Sequence, residues 1–280
     1  MKAVEKGELV RFFLLAYGIS WALWAPLFLP AWGIAPLPAL PFQHELGSLG
    51  PMLAAFLLTY RERGRSGTSA LLGSMLRPRP VGPLLAACAA PFLLDAVAGL
   101  LDSGINGAPL RLFSLPGPGG QLDISIEGWC ALNLFFFGWG EETGWRGYAL
   151  PRLQTAFPAL TSAIVLSVFW AVWHWPAFLY RPGYASMGPA AIAAWYFSLL
   201  TGSVLLTWLF NSSRGGLLAV AVFHAAMDLV LTAPGSSPAR TQYLGMLLTG
   251  LCIAVVIRYK PRDLAPVPRT RPADQVHHAD

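Results

Sequence analysis

Apolar segments alternate with short polar ones along most of the chain. A helix that crosses a bilayer needs about 20 mainly apolar residues. The segments that approach this length predict eight membrane-spanning helices, with boundaries placed to within about four residues. The predicted spans are 9–30, 47–60, 82–102, 125–141, 160–180, 187–210, 215–233 and 241–258.

The composition agrees with a membrane protein. Hydrophobic residues make up 55% of the 280 positions and charged residues 12%, whereas a soluble domain has about 45–50% and about 25%. We therefore predict an all-α fold, a polytopic transmembrane helical bundle that forms one domain over residues 1–260. Residues 261–280 are rich in proline and charge and are expected to be a disordered cytoplasmic tail, with His277 and His278 in a solvated end.

Lysine and arginine predict the orientation of the bundle. They cluster before the first span, between residues 61 and 80, and after residue 257, while the loop after the first span has none. Eight spans place all three clusters on one side, so both termini are predicted to be cytoplasmic. Frequent Ala, Pro and Arg suit a high-GC prokaryote, which indicates a multi-pass protein of a bacterial inner (plasma) membrane. The net charge of +5 is then explained by these clusters and does not indicate nucleic-acid binding.

A few polar residues interrupt the apolar spans. Ionisable groups at membrane depth are costly and usually face the bundle interior or a wet cavity. Asp95 in the third span could line a cavity or be capped by a Ser or Trp of a neighbouring helix. Asn133 in the fourth span lies two turns before Glu141 and could face the same cavity, so the roles of Asp95 and Asn133 stay open.

The segment "EETGWR" places two adjacent carboxylates at the end of the fourth span. Glu142 and Arg146 are four residues apart on a helix and can form an ion pair. Glu141 points about 100° away and is not neutralised by this pair. Either the segment is an ordinary ion pair where the helix leaves the membrane, or Arg146 holds Glu142 and leaves Glu141 free to accept a proton.

Two histidine motifs follow in later spans. His174 lies among tryptophans in "FWAVWHWP", where it could also be a hydrogen-bonded core histidine. In "FHAAMD", His224 and Asp228 are four residues apart on one helical face, where a carboxylate can fix the tautomer of an imidazole.

Together the three motifs predict one polar site built from three helices. A carboxylate and two histidines could hold a water molecule or a divalent metal, with Glu141, His174 and His224 as candidate zinc ligands. The activated water would attack a carbonyl group, and the remaining histidine and Asp228 could steady the oxyanion or the leaving amine. This chemistry is amide hydrolysis inside the membrane.

The motifs resemble those of the CPBP family, which includes CAAX prenyl endopeptidases and bacterial Abi-type proteins. The family pattern is Glu-Glu-x-x-x-Arg, Phe-x-x-x-His and His-x-x-x-Asn or Asp on successive transmembrane helices. The resemblance covers about residues 125–232. It departs at Trp170, which stands where the family usually has Phe, while Phe169 lies one place too early.

The resemblance implies an intramembrane endopeptidase. It assigns the activation of water to Glu141, completes the catalytic site with His174, His224 and Asp228, and gives Glu142 and Arg146 a supporting role. Family members have been treated both as metal-dependent and as glutamate-dependent proteases, so zinc dependence stays open. The expected substrate is a peptide or protein with a hydrophobic or lipidated C-terminal segment, reached in membrane lipid or from the cytosol.

Two other classes of function fit a polar intramembrane cluster. A proton-coupled small-molecule transporter uses Glu, His and Asp as a proton relay, although the chain has no inverted repeat. A non-catalytic membrane scaffold could also keep a polar core.

Overall fold

The computed structural model describes residues 3–78, 80–110, 125–232 and 236–275. All regular elements within these ranges are helical, so the predicted all-α bundle is confirmed. His277 and His278 lie outside the described residues. The helices are α1 (Ala3–Phe28), α2 (Gln43–Gly47), α3 (Gly50–Leu76), α4 (Val81–Asn106), α5 (Ile126–Asn133), α6 (Gly140–Gly144), α7 (Leu150–Ala156), α8 (Ala159–Trp173), α9 (Ala177–Tyr180), α10 (Pro182–Ala185), α11 (Pro189–Ser212), α12 (Leu218–Leu231) and α13 (Pro238–Asp263).

Five helical segments among the described residues are long and apolar enough to cross a membrane. They contain α1, α4, α8, α11 and α13, while the apolar α12 is shorter. The predicted second, fourth and seventh spans correspond to α3, to the run from α5 to α7, and to α12. The chain is therefore an integral membrane bundle with roughly the predicted number of spans.

The arginine-rich stretch after residue 60 is helical and belongs to α3. Its Ala, Leu and Arg residues are good helix formers. Gly64 interrupts the helix with a φ of 62°, a left-handed conformation that glycine adopts without steric cost. This helix continues well beyond the predicted boundary at residue 60.

The fourth predicted span is longer than its apolar pattern indicated. α5, α6 and α7 are joined by two π-helical segments, Leu134–Trp139 and Trp145–Ala149, into one rod that we call the motif helix. Polar residues after position 141 stay buried because they have partners: Arg152 is 3.0 Å from Glu8, and Gln154 exchanges hydrogen bonds with Asn211. Hydropathy cannot register such pairing, so it placed the end of the span too early.

The chain after α13 packs against the bundle as far as residue 275. Leu264 is completely buried. The side chain of Gln154 donates to the carbonyl of Thr270 at 2.7 Å, and Gln275 donates to the carbonyl of Gly147 at 3.0 Å. Residues 264–275 are thus held to the bundle by one hydrogen bond accepted by a backbone carbonyl of this segment and one donated by its Gln275 side chain, while the disordered tail over 261–280 stays a prediction.

Candidate active site

The two adjacent carboxylates lie in the middle of the motif helix. The α-helical turn Gly140–Gly144 carries them, and the two π-helical segments flank it on either side. π-Helical turns are rare, and they are frequent at functional sites because they rotate the following side chains relative to an α-helix. The local helix geometry therefore marks this turn as a candidate site.

Glycines allow neighbouring helices to approach this turn closely. A Cβ atom on Gly144 would lie 2.4 Å from the Pro51 side chain of α3. A Cβ atom on Gly138 would lie 2.6 Å from the carbonyl oxygen of Ala221 in α12. The carboxylates are thus held between α3 and α12, where water is largely excluded.

Glu142 has two cationic or polar partners. Its Oε1 lies 2.9 Å from Nη1 of Arg146, and both side chains are completely buried. The same oxygen lies 2.7 Å from Nδ1 of His224. The predicted pairing of Glu142 with Arg146 is present, whereas the contact with His224 was not predicted, because it joins two distant helices.

Glu141 has a different partner. Its Oε2 accepts a hydrogen bond of 2.8 Å from the indole Nε1 of Trp170 in α8. The side chain is 4% exposed, and the structure shows no hydrogen bond to its Oε1 from the described residues. Adjacent carboxylates thus have separate environments, one in an ion pair and one bound by a neutral donor.

Trp170 connects most of the cluster. Its backbone carbonyl lies 2.8 Å from Nδ1 of His174, and its ring meets the His224 ring edge-on with centroids 5.4 Å apart. The guanidinium carbon of Arg146 lies 4.8 Å from the centre of the indole ring. The motif pattern marked Trp170 only as a residue that stands where Phe is usual. Its position one turn before His174 was the available signal.

His174 lies just past the end of α8 in an aromatic enclosure. The rings of Trp173, Tyr184 and Trp195 lie 4.8, 6.4 and 5.7 Å from the His174 ring between centroids. A carbonyl oxygen only accepts, so Nδ1 of His174 donates to Trp170. In the neutral ring this leaves the lone pair on Nε2.

His224 and Asp228 lie on one face of α12, as predicted. Their Nε2 and Oδ2 atoms are 3.6 Å apart, which is longer than a hydrogen bond. Asp228 keeps 33% of its side chain exposed, whereas the side chain of His224 is 9% exposed. The short contact of His224 is the one to Glu142, so Asp228 is its outer neighbour.

Asp95 and Asn133 do not contact these motif residues through hydrogen bonds that the structure shows. Asp95 forms a bidentate ion pair with Arg240 at the start of α13, with atoms 2.8 and 2.5 Å apart. Asn133 donates to the carbonyl of Trp129 in its own helix at 2.9 Å. The cap on Asp95 is therefore an arginine, where the sequence suggested a Ser, a Trp or a cavity.

A second polar cluster lies beside the site and was missed from the sequence. His44, in the connection between α1 and α3, lies 2.6 Å from the Tyr180 hydroxyl and 2.7 Å from Nη1 of Arg181. Arg181 interacts electrostatically with both His174 and Asp228. No motif marked His44, because its partners lie far along the chain.

Contacts along α1 show the level of the site in the bundle. Glu8, near the start of α1, binds Arg152 at 3.0 Å, whereas Trp21, near its end, donates to the carbonyl of Trp173 at 3.0 Å. His174 follows Trp173 directly. The histidine therefore lies toward the end of the bundle that is opposite to the N-terminus.

The zinc prediction concerns three side chains of this cluster. Glu141, His174 and His224 were the candidate ligands, but no group of three His, Cys, Asp or Glu residues in the described part of the chain is arranged to hold a metal ion. One ring nitrogen of each histidine and one oxygen of Glu141 have protein partners, while the structure shows no hydrogen bond from the described residues to the other ring nitrogen of either histidine or to Oε1 of Glu141. Zinc stays a prediction, and we derive no step through it.

Comparison with known proteins agrees with the motif reading. Residues 125–230 match the family described as type II CAAX prenyl endopeptidase Rce1-like. The curated protein CAAX prenyl protease 2 of Methanococcus maripaludis is 29% identical over 94 residues, which are 32% of this chain and 34% of the relative. The match thus spans about a third of the relative's length. The motifs, the geometry and both matches agree that residues 125–230 are similar to the Rce1-like CAAX prenyl endopeptidases.

Proposed function

We propose that this protein is an intramembrane endopeptidase that uses Glu141 to activate water. The observation that carries the proposal is the separation of the two adjacent acids. Glu142 is held by Arg146 and His224, while Glu141 is held at one oxygen by the neutral indole of Trp170. A carboxylate without a cationic partner is suited to accept a proton, which a general base must do.

The reaction begins when Glu141 takes a proton from water. The hydroxide adds to the carbonyl carbon of the scissile peptide bond, and the carbonyl oxygen becomes an oxyanion. The tetrahedral intermediate collapses when the C–N bond breaks, and the leaving amine receives the proton that Glu141 took. Glu141 thus acts first as base and then as acid, and no further reactant is needed.

The other motif residues position the reacting groups and stabilise the oxyanion. With a proton on both ring nitrogens, His224 donates from Nδ1 to Glu142 and from Nε2 to the oxyanion. Asp228 orients the outer edge of this ring. His174, fixed through its Nδ1 by the carbonyl of Trp170, has Nε2 available to orient the water molecule. Arg146 holds Glu142 and lies over the Trp170 ring.

The proposed substrate is a peptide or protein with a hydrophobic or lipidated C-terminal segment. The name of the curated relative, CAAX prenyl protease 2, and the apolar surroundings of the site support this class. We further propose a bacterial plasma-membrane location with both termini in the cytoplasm, since the basic clusters share one side. His174 then lies toward the non-cytoplasmic side, so the pocket opens laterally or to that side and not to the cytosol.

Cleavage of a quenched peptide with an apolar C-terminal segment tests the proposal. The wild type, Glu141→Gln and a control, Glu127→Gln, would be purified in detergent. Glu127 is an exposed residue of the same rod, in α5. Loss of a general base costs about 10²–10⁴-fold in rate, so we expect that loss for Glu141→Gln, with an unchanged melting temperature, and full activity for Glu127→Gln.

Three results would contradict the proposal. Wild-type protein that is folded but cleaves no apolar-tailed peptide would exclude it for this class of substrate. Glu141→Gln with full activity would remove Glu141 from the reaction. If the wild type cleaves no peptide but takes up a small molecule into liposomes, and Glu141→Gln loses that uptake, the protein would instead be a transporter.

A further inference from the structure

The three fully buried arginines of the described residues are each paired with carboxylates, whereas the partly buried Arg181 is not. No carboxylate of the described residues lies within 4 Å of its guanidinium, and its hydrogen bond runs to a ring nitrogen of His44. Arg181 lies directly after α9, partly buried beside the site. The carboxylate-paired arginines of the described residues are Arg146 with Glu142, Arg152 with Glu8 and Glu62, Arg240 with Asp95, and Arg262 and Arg269 with Asp263.

The position of Arg181 directs its charge toward the site. It interacts electrostatically with His174 and with Asp228, which belong to the second and third motifs. Its guanidinium carbon lies 6.0 Å from the centre of the Tyr184 ring, and Tyr184 stacks on His174 with ring centroids 6.4 Å apart. The guanidinium therefore lies beside the aromatic enclosure of His174.

The hydrogen bond to His44 occupies only one of the five N–H groups of the guanidinium. Arginine cannot accept, so Nε2 of His44 accepts from Arg181 and Nδ1 of His44 donates to the Tyr180 hydroxyl. The backbone carbonyl of His44 is bound in turn by Trp24 at 2.7 Å. Arg181 is thus held in place while donors remain for a ligand.

We propose that Arg181 binds the free C-terminal carboxylate of the peptide substrate. The inference rests on the proposed function and adds the group that anchors the leaving segment. A planar guanidinium matches a carboxylate through two parallel hydrogen bonds. A doubly charged phosphate is less favoured than a singly charged carboxylate, because Asp228, which interacts electrostatically with Arg181, would repel the phosphate more strongly.

His44 is then a positioning residue for Arg181. It belongs to the connection between α1 and α3, outside the matched residues 125–230. The N-terminal helices therefore contribute to substrate selection by fixing the orientation of the guanidinium, although they carry none of the three motifs. Substrates would be selected for a free C-terminus as well as for an apolar segment.

Equilibrium binding to Glu141→Gln protein in detergent tests this inference without turnover. The probes are two fluorescent peptides with the same apolar sequence, one ending in a free carboxylate and one in an amide. We expect the acid to bind about tenfold tighter or more, since charge-assisted bidentate hydrogen bonds are strong. Adding Arg181→Gln should bring the two dissociation constants together and leave that of the amide nearly unchanged.

Further variants separate recognition from folding. Arg181→Lys keeps the positive charge but not the planar guanidinium. It should therefore keep part of the preference for the acid over the amide, even if Arg181→Gln does not fold. His44→Gln can still accept a hydrogen bond and should retain more of the preference than His44→Phe. Arg258→Gln, at the opposite end of the bundle on exposed α13 surface, should retain all of it.

Equal binding of acid and amide to the parent protein would overturn the inference. So would equal weakening of both peptides by Arg181→Gln and Arg181→Lys, which indicates a structural role. The proposed function can fail separately. If protein with Glu141 intact shows the Arg181-dependent preference but cleaves neither peptide, carboxylate binding by Arg181 is supported and the endopeptidase function is contradicted. If the acid and the amide are cleaved at equal rates, the endopeptidase function is supported and carboxylate binding by Arg181 is contradicted.

Discussion

Trp170 shows how one side chain can organise several polar groups. Its indole N–H binds Glu141, its carbonyl binds His174, and its ring contacts His224. Phenylalanine, which the CPBP pattern usually has at this position, offers the ring and the backbone carbonyl but no side-chain donor. The hydrogen bond to Glu141 is therefore a feature of this chain that the family pattern did not indicate.

We predict that Trp170→Phe lowers peptide cleavage by about tenfold. A hydrogen bond to a charged group contributes roughly 1.5–3 kcal/mol, and without it Glu141 loses its fixed orientation. The loss should appear mainly in kcat, because an aromatic ring is retained beside Arg146 and His224. The measurement is steady-state cleavage of the quenched peptide, with melting temperature followed in parallel.

Trp175→Phe is the matched control, because Trp175 is 60% exposed and lies outside the cluster. It should cleave as the wild type does. Wild-type kcat for Trp170→Phe would show that the indole N–H is dispensable.

The motif helix combines two structural features. Its two π-helical segments change the direction of successive side chains, and its glycines remove the bulk that would separate it from α3 and α12. Close packing then excludes water from a turn that carries two acids. The element itself thus creates the environment that the proposed base requires.

Gly144→Ala should destabilise the bundle. The added methyl group would lie 2.4 Å from the Pro51 side chain and 2.6 Å from the Pro51 backbone, which cannot move away easily. Overpacking of this kind costs about 1–3 kcal/mol. The midpoint of thermal unfolding in detergent should therefore fall.

Gly73→Ala in α3 provides the comparison, since a Cβ atom there meets nothing within 4 Å. Alanine is favoured over glycine inside a helix by roughly 0.5–1 kcal/mol, so this variant should melt at the same temperature or higher. A Gly144→Ala protein as stable as Gly73→Ala would contradict the proposed close packing.

Hydrogen bonds and ion pairs connect distant segments of the bundle toward both of its ends. Toward the N-terminal end, Arg152 and Gln154 hold α1 and the segment after α13. Toward the other end, His44 and Arg181 connect the first helices with the segment after α8. The candidate site lies closer to the second set of contacts, so its access depends on which side of the membrane that end faces.

We predict that the end with Arg181 faces away from the cytoplasm. In a variant without the native cysteines Cys88, Cys130 and Cys252, Ser186→Cys should react with an impermeant maleimide in intact spheroplasts. Ser66→Cys, at the arginine-rich end, should react only after the membrane is permeabilised. Both serines are exposed, so accessibility across the membrane is the only difference.

Reversed labelling would place the termini outside the cytoplasm and open the pocket to the cytosol. The proposed chemistry of Glu141 does not depend on this result, but the source of the substrate does. Labelling of both positions before permeabilisation would contradict a span between them.

The sequence alone was sufficient to predict features that depend only on residues close to one another along the chain. Apolar run length predicted the helical bundle, and four-residue spacing predicted the Glu142–Arg146 pair and the shared face of His224 and Asp228. These features follow from helix geometry, which repeats along the chain and needs no distant partner. The three motifs in order also predicted the family that residues 125–230 match.

Only the tertiary structure decided which polar groups meet. His224 binds Glu142 across 82 positions, Asp95 binds Arg240 across 145, and His44 binds Arg181 across 137. A hydropathy pattern counts each of these polar residues as unfavourable to burial of its own segment. In the folded bundle each pair satisfies the polar groups of two segments at once, so both segments can be buried. For this reason the motif helix continues past its two acids, and the site lies inside the bundle and not at its edge.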